Sequence, residues 1–427
     1  MCGRLGCPTG AAWSMIDGQA TAALNRVTGE RTRKVRMLKE GLEFLVYAVY
    51  WLLPKFNYAV VFGVPDYEGS VLGLERRLTH TSLTMIIILV CGDPTYRPFP
   101  FGDRTKVVRK SSIRGLAYFL LARYAFFTHR CYVSRFPTKV VSVNMWHGMP
   151  LKRIGWMLDG DRGIASRYAL ATSAFWAKIM QRAMEPFDSV LVTGLPRNDL
   201  MFTPDDSVRA RLEGPKRGDA RKIVAWLPTY RKSVRGQIRQ DGRESGSVLG
   251  IAGLSVERLN TLLNQNDALG VVKAHLMAPF DGCVELSNLL IVNDEWLANR
   301  ALSLYELLGQ SCLLVSDISS VIVDYLILDR PVVHLFPDAK DYAASRGFSI
   351  EPIQDYFVGP LATTAEELVE SLTRALQGGD THARQRRRVR RLFHDHVDGD
   401  STRRLLEDLR LSVRQQRLLE PAEREGG

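Results

Sequence analysis

The chain has 427 residues, 46% apolar and 24% charged, which describes a folded globular protein long enough for two ordinary domains and excludes a disordered one. A net charge of +11 and a pI near 9.4 favour an anionic partner, whether nucleic acid, anionic lipid or a phosphate-bearing substrate. Cys2, Cys7, Cys91, Cys131, Cys283 and Cys312 are scattered, with no CxxC pair and no histidine clustered beside them, so the expectation is reduced thiols in a cytosolic protein and no zinc site.

Residues 1–30 are rich in Gly, Ala and Thr, carry no basic-then-apolar signal pattern and read as a loose leader. A helix is expected over 36–54. Its apolar stretch FLVYAVYWLLP (44–54) falls short of the roughly 18 residues that span a bilayer. Arg31, Arg33, Lys34, Arg36 and Lys39 precede it. Two readings stay open here: a helix lying in a membrane interface, or a first core helix with a solvated basic lead-in.

Continuous apolar runs at 57–64 and 84–90, with a helix ending at Arg77 between them, read as buried parallel strands. Helices over 111–128 and 165–185 and strands at 140–143 and 189–193 complete a first Rossmann-like domain, 55–192. The turn Gly194-Leu195-Pro196-Arg197-Asn198-Asp199 reads as the crossing into a second, 193–383. Its strands are expected at 222–227, 269–274, 289–292 and 312–315, with 332–335 closing the sheet. The stretch 232–250, rich in Gly, Arg and Ser, reads as a mobile loop over a cleft. Residues 384–427, opening with RQRRRVRR, read as a basic helix and tail.

In open α/β folds ligand chemistry collects where strands end. The strand at 140–143 breaks at Trp146-His147-Gly148, with Pro150 and the basic pair Lys152-Arg153 just beyond. An imidazole on a tight turn beside cations suits a proton acceptor working next to a phosphate; the plainer reading is a turn histidine capping a backbone group. In the second domain Asp317, Ser319 and Ser320 follow an apolar strand and open a helix. Unpaired N–H groups there favour an anion, although a serine more often simply caps the helix. Asp324 falls on the face of Ser320 and could meet a ribose or glycerol hydroxyl, or solvate a surface. Lys273 and His275 share one side of a strand end, and Arg231 ends the turn after 222–227. Each has an ordinary explanation as a surface cation or strand-end histidine; their shared position argues for a site. Phosphoryl transfer needs such cations and donors on the phosphates and a base on the attacking hydroxyl.

The blocks WHGMPLKRIGW (146–156), TGLPRNDLMF (193–202), LPTYR (227–231), VVKAH (271–275) and SDISSVIVDYLILDRPVVHLFPDAKDY (316–342), with the weaker LFHDHVDGDSTRRL (392–405), resemble the CDP-glycerol glycerophosphotransferase family, which builds teichoic-acid and related capsule chains. The resemblance implies a GT-B-like fold, two Rossmann-like domains facing across a cleft, and transfer of glycerol phosphate from CDP-glycerol to a hydroxyl with release of CMP. It implies His147 and Gly148 at the base on the acceptor hydroxyl, and His275, Ser319 and Ser320, with Arg231 as a weaker candidate, on the donor pyrophosphate. Arg197, Asn198 and Asp199 match the family's Pro-Arg-Asn-Asp turn, read as partly architectural. Met149 stands where the family carries Thr, and Leu276 where it carries Pro. No tightly bound cofactor is implied, and magnesium on the pyrophosphate is left open.

The implied partners are CDP-glycerol, a lipid-linked or polymeric acceptor, and an anionic membrane surface at the inner face of the cell membrane, reached through the basic residues at 31–39 and 384–391. No RNA-binding motif or aromatic platform supports nucleic acid. Ribitol in place of glycerol, primase or polymerase, and a homo-oligomer all stay open. Two competing readings are a GT-B glycosyltransferase using a nucleotide sugar and an enzymatically silent membrane-peripheral protein.

Overall fold

The computed structural model describes Gly41 and residues 44–129, 131–133, 135–158, 165–184, 186–203, 206–213, 222–228, 247–274, 283–338 and 347–411. The chain divides into a unit ending at Leu53 and a unit beginning at Pro54. In the first, residues 44–52 are helical and expose Phe44, Leu45, Trp51 and Leu52. No described helix is long and apolar enough to cross a membrane.

The second unit holds two seven-stranded sheets. The first contains β1 (Phe56–Phe62), β2 (Ile86–Val90), β3 (Thr105–Arg109), β4 (Ala122–Phe127), β5 (Val141–Asn144), β6 (Tyr168–Ala171) and β7 (Ser189–Val192). It is parallel throughout, in the order β3-β2-β1-β4-β5-β6-β7. The second contains β8 (Lys222–Leu227), β9 (Ala268–Lys273), β10 (Val284–Glu285), β11 (Leu289–Val292), β12 (Leu313–Ser316), β13 (Val332–Leu335) and β14 (Leu361–Ala362), in the order β10-β11-β9-β8-β12-β13-β14. It is parallel apart from the β10–β11 pair. Strands such as IIILV of β2 are buried along their whole length, as parallel strands covered on both faces must be. This is the expected pair of Rossmann-like halves.

Several expectations are corrected. The stretch 111–128 is a helix only over Ile113–Leu121; Ala122–Phe127 is β4, held between β1 and β5. A largely apolar run has no clear period that separates a buried strand from a buried helix, and the slot in the sheet decides. Likewise 165–185 splits into β6 and the helix Ala174–Met184. The edge strand β3 was not anticipated, and the second sheet continues past β13 to β14. The basic tail is two helices, Ala383–Phe393 and Ser401–Asp408.

Those two helices return to the first half. Phe393 stacks on Phe175 at 5.6 Å and on Tyr356 at 5.5 Å. The Thr172 hydroxyl donates to the Phe393 carbonyl at 2.7 Å. Asp199 accepts the N–H groups of Ser401 and Thr402, each at 2.8 Å, and so caps the helix Ser401–Asp408. The halves share one apolar core, in which Leu195 and Leu200 of the crossing join Tyr305, Leu308 and Ile322 of the second half. Arg76, on the helix Gly69–Leu78, pairs at 2.6 Å with Glu306, which also closes a capping box with Ser303.

Candidate active site

β5 delivers its last side chain, Asn144, into the turn the sequence singled out. The Asn144 side-chain carbonyl accepts the Trp146 N–H at 3.0 Å, an Asx turn that lets Trp146 hold a left-handed φ of 51°. Gly148 follows at φ 123°. A Cβ there would lie 2.4 Å from Arg197 Nη2 and 2.6 Å from Ser320 Oγ, so only glycine lets the turn press so closely on the other half. The Ser320 hydroxyl makes a long contact, 3.5 Å, to the His147 carbonyl. The strand end carrying the imidazole and the helix start carrying the serines therefore meet.

His147 is half-buried, and its Nδ1 lies inside with no hydrogen-bond partner among the described residues. Burial, then His129 and the Arg197 charge, push its pKa down to about 3, against a smaller opposing effect of the Thr128 carbonyl. The ring is thus a neutral acceptor at ordinary pH. It stacks on His129, centroids 4.6 Å apart and 14° from parallel, and lies tilted by 32° against Trp146 at 4.0 Å. His129 follows β4, and burial with nearby Lys110 lowers its pKa to about 4.

Arg197 lies under the turn. It is 3% exposed and pairs with Asp324 at 2.5 Å and Glu68 at 3.3 Å, while its guanidinium sits 5.0 Å above the Tyr305 ring. Tyr305 donates to Asp324 at 3.1 Å. Glu68 uses its other oxygen to accept the Ser70 N–H at 2.8 Å, capping the helix Gly69–Leu78. Burial lifts the Asp324 carboxyl to about 6, and Arg197 beside it keeps it ionised at neutral pH. Asp324 is fully buried, which corrects its reading as a hydroxyl-binding or solvated group: its charge neutralises Arg197. Asn198 is also fully buried and packs within the crossing.

Ser319 is half-exposed and caps the helix Ser320–Tyr325, accepting the Val321 N–H at 3.4 Å, the commoner role for such a serine; Ser320 is half-exposed beside it. Asp317 is buried at the end of β12. Lys273, at the end of β9, pairs with Asp294 at 2.9 Å. Arg153 is engaged too, donating to the Phe348 carbonyl at 3.3 Å and pairing with Glu351 at 3.8 Å, while Lys152 bridges to Phe348. The cation packed against the His147 turn is thus Arg197, where the basic pair was expected to supply it. Met149 is buried in the shared core. Arg231 and His275 lie outside the described residues. His129 was missed: it follows a segment read as helix, so nothing marked it as a strand end.

Residues 47–410 match the family model described as CDP-glycerol:poly(glycerophosphate) glycerophosphotransferase. The chain belongs to that family. It is similar to the teichoic acid poly(glycerol phosphate) polymerase of Bacillus subtilis (strain 168), 23% identical over 265 residues that cover 55% of this chain and 32% of the relative. It is also similar to the teichoic acid ribitol-phosphate polymerase TarK of Staphylococcus aureus (strain NCTC 8325 / PS 47), 22% identical, covering 65% of this chain and 54% of the relative. The chain thus spans about a third of the length of the first of these curated relatives and about half of the second. Among solved structures, that of the wall teichoic acid polymerase TagF matches with a TM-score of 0.65 at 18% identity, over 90% of this chain and 96% of that one. The fold is therefore the GT-B-like, two-domain α/β fold of that protein.

Proposed function

We propose that this protein transfers a polyol phosphate from a CDP-polyol, CDP-glycerol in the first instance, to a hydroxyl of a lipid-linked or polymeric acceptor. The acceptor oxygen attacks the phosphorus that carries the glycerol, the bond from that phosphorus to the CMP oxygen breaks, CMP leaves, and the acceptor proton passes to His147. The supporting observation is the contact of the His147 turn with the Ser320 helix start, which brings together the strand end that carries the imidazole in one half and the one that carries the half-exposed serines in the other. Ser319, Ser320, Arg231 and His275 are proposed to hold the diphosphate. Magnesium, if the reaction uses it, is proposed to enter on the diphosphate.

The charge fits the same reading. Arg384, Arg387, Arg388 and Arg391 are exposed on the helix Ala383–Phe393 at helical spacing. With residues 31–39 they are proposed to hold the protein at the anionic inner face of the membrane, at about 1 kcal/mol per well-placed cation. The test is nucleotide release from CDP-glycerol, CDP-ribitol and UDP-sugars in turn, with a lipid-phosphate acceptor. Release of CMP from a CDP-polyol is expected; release of UDP alone would replace this reading with a glycosyltransferase.

A further inference from the structure

Two imidazoles meet at neighbouring strand ends of the first sheet. His129 follows β4, His147 follows β5, and the rings stack in near-parallel planes 4.6 Å apart. The His147 ring also lies against Trp146, centroids 4.0 Å apart and tilted by 32°. His129 is itself fixed: its Nδ1 lies 2.9 Å from the Thr128 hydroxyl, and the Thr128 N–H donates to the Phe62 carbonyl of β1 at 3.0 Å. His147 is thus held against two flat rings, one of them anchored to β1.

We propose that His129 is a positioning residue for His147: its stacked ring fixes the plane of the accepting imidazole and keeps water off that face. The inference rests on the proposed transfer for its kinetic readout but not for its structural one.

The groups facing the pair favour an uncharged ring. Arg197, from the helix Pro196–Asp199, and Lys110, which follows β3 and sits 3.9 Å above the Phe62 ring, are cations; Ser320 and the Thr128 carbonyl are neutral. With each ring partly withdrawn from water, a proton on either imidazole has less solvent to spread its charge. The arrangement has a consequence for timing. An anionic diphosphate held at the Ser319–Ser320 helix start would raise the proton affinity of His147 when the acceptor hydroxyl must give up its proton. The base would then be weak in the empty site and stronger in the loaded one.

The test compares His129→Ala, which removes the ring, with His129→Phe, which keeps the stack. His129→Ala is expected to lower kcat about tenfold or more and, by admitting water, to move the acidic limb of the pH profile up by about one unit. His129→Phe is expected to restore most of the rate and leave the limb in place. Loss of folding alone would lower the rate at every pH without moving the limb. The His147 ring is also followed directly by NMR titration in the folded variants, without and with CDP. Its midpoint is expected to rise in His129→Ala, to stay in His129→Phe, and to rise in the wild type with CDP. An unmoved His147 midpoint in His129→Ala would overturn the proposal, as would His129→Phe behaving like His129→Ala. If no CDP-polyol is turned over, the proposed function fails while the NMR comparison still decides the role of His129.

Discussion

The hydroxyl of Ser320 and the carbonyl of His147, 173 residues apart in sequence, lie 3.5 Å from each other. One belongs to the helix after β12 and the other to the turn after β5. Strand-end chemistry from each half thus faces the other's, and the residue that allows the approach is Gly148.

Gly148→Ala should damage this junction more than any surface change. The added Cβ would lie within 2.6 Å of both Arg197 Nη2 and Ser320 Oγ, at a φ of 123° that alanine resists. Overpacking of this kind costs about 1–3 kcal/mol. Thermal unfolding should show a lower midpoint, and CMP release should fall in the fraction that remains folded.

Arg197→Met removes the guanidinium that pairs with both Glu68 and Asp324, leaving two carboxylates in a buried site. Breaking a buried pair in this way costs about 3–5 kcal/mol. Denaturant unfolding should report that loss. Asp324→Asn, which keeps the shape and still accepts from Tyr305, should be milder. Equal, small effects for both would show that the network contributes little.

Much of this was legible in the sequence. The continuous apolar runs of β8, β11 and β13 stand where they were expected. β3 was not anticipated because TKVVR is an edge strand whose exposed Lys106 and Arg109 break the apolar run. β4 was read as helix because ARYAFF carries no usable period. Within the site, His147 and the two serines were marked by position, each following a strand and a turn. The pairing of Arg197 with Glu68 and Asp324 joins residues more than a hundred positions apart and leaves no local pattern. The run RQRRRVRR likewise hides a division of labour. Arg386 is buried on Asp329 at 2.9 Å and Asp380 at 2.8 Å, while Arg384, Arg387, Arg388 and Arg391 stay exposed.

Stability should fall on mild acidification. Burial lowers the pKa of His129, His334 and His394 to about 4 and of His147 to about 3, from an ordinary 6.5. A histidine whose folded pKa is depressed takes up its proton more readily when unfolded, so its stabilisation is complete above 6.5 and is lost as pH falls toward the folded value. Asp324, raised from 3.8 to about 6, acts in the opposite sense over its own window. Burial also raises Glu68 and Asp199, in the same sense as Asp324; four imidazoles against these three carboxyls should still lower the urea midpoint from pH 6.5 to about 4. A midpoint that stayed flat across that range would contradict the buried, neutral state of these rings.

Replacing Arg384, Arg387 and Arg391 together by Gln should weaken binding to anionic liposomes, and binding of the wild type should fall as salt is raised. Sedimentation with vesicles containing phosphatidylglycerol checks both. Binding that ignored salt and the substitutions would shift the attachment to the apolar helical residues 44–52.

The central claim is that His147 takes the acceptor's proton in a site shared by both halves. Its most direct test is the rate of CMP release from CDP-glycerol by His147→Ala, with an acceptor present and CDP binding measured alongside. The expected result is a rate about a hundredfold or more below wild type with CDP still bound; a rate equal to wild type would contradict it.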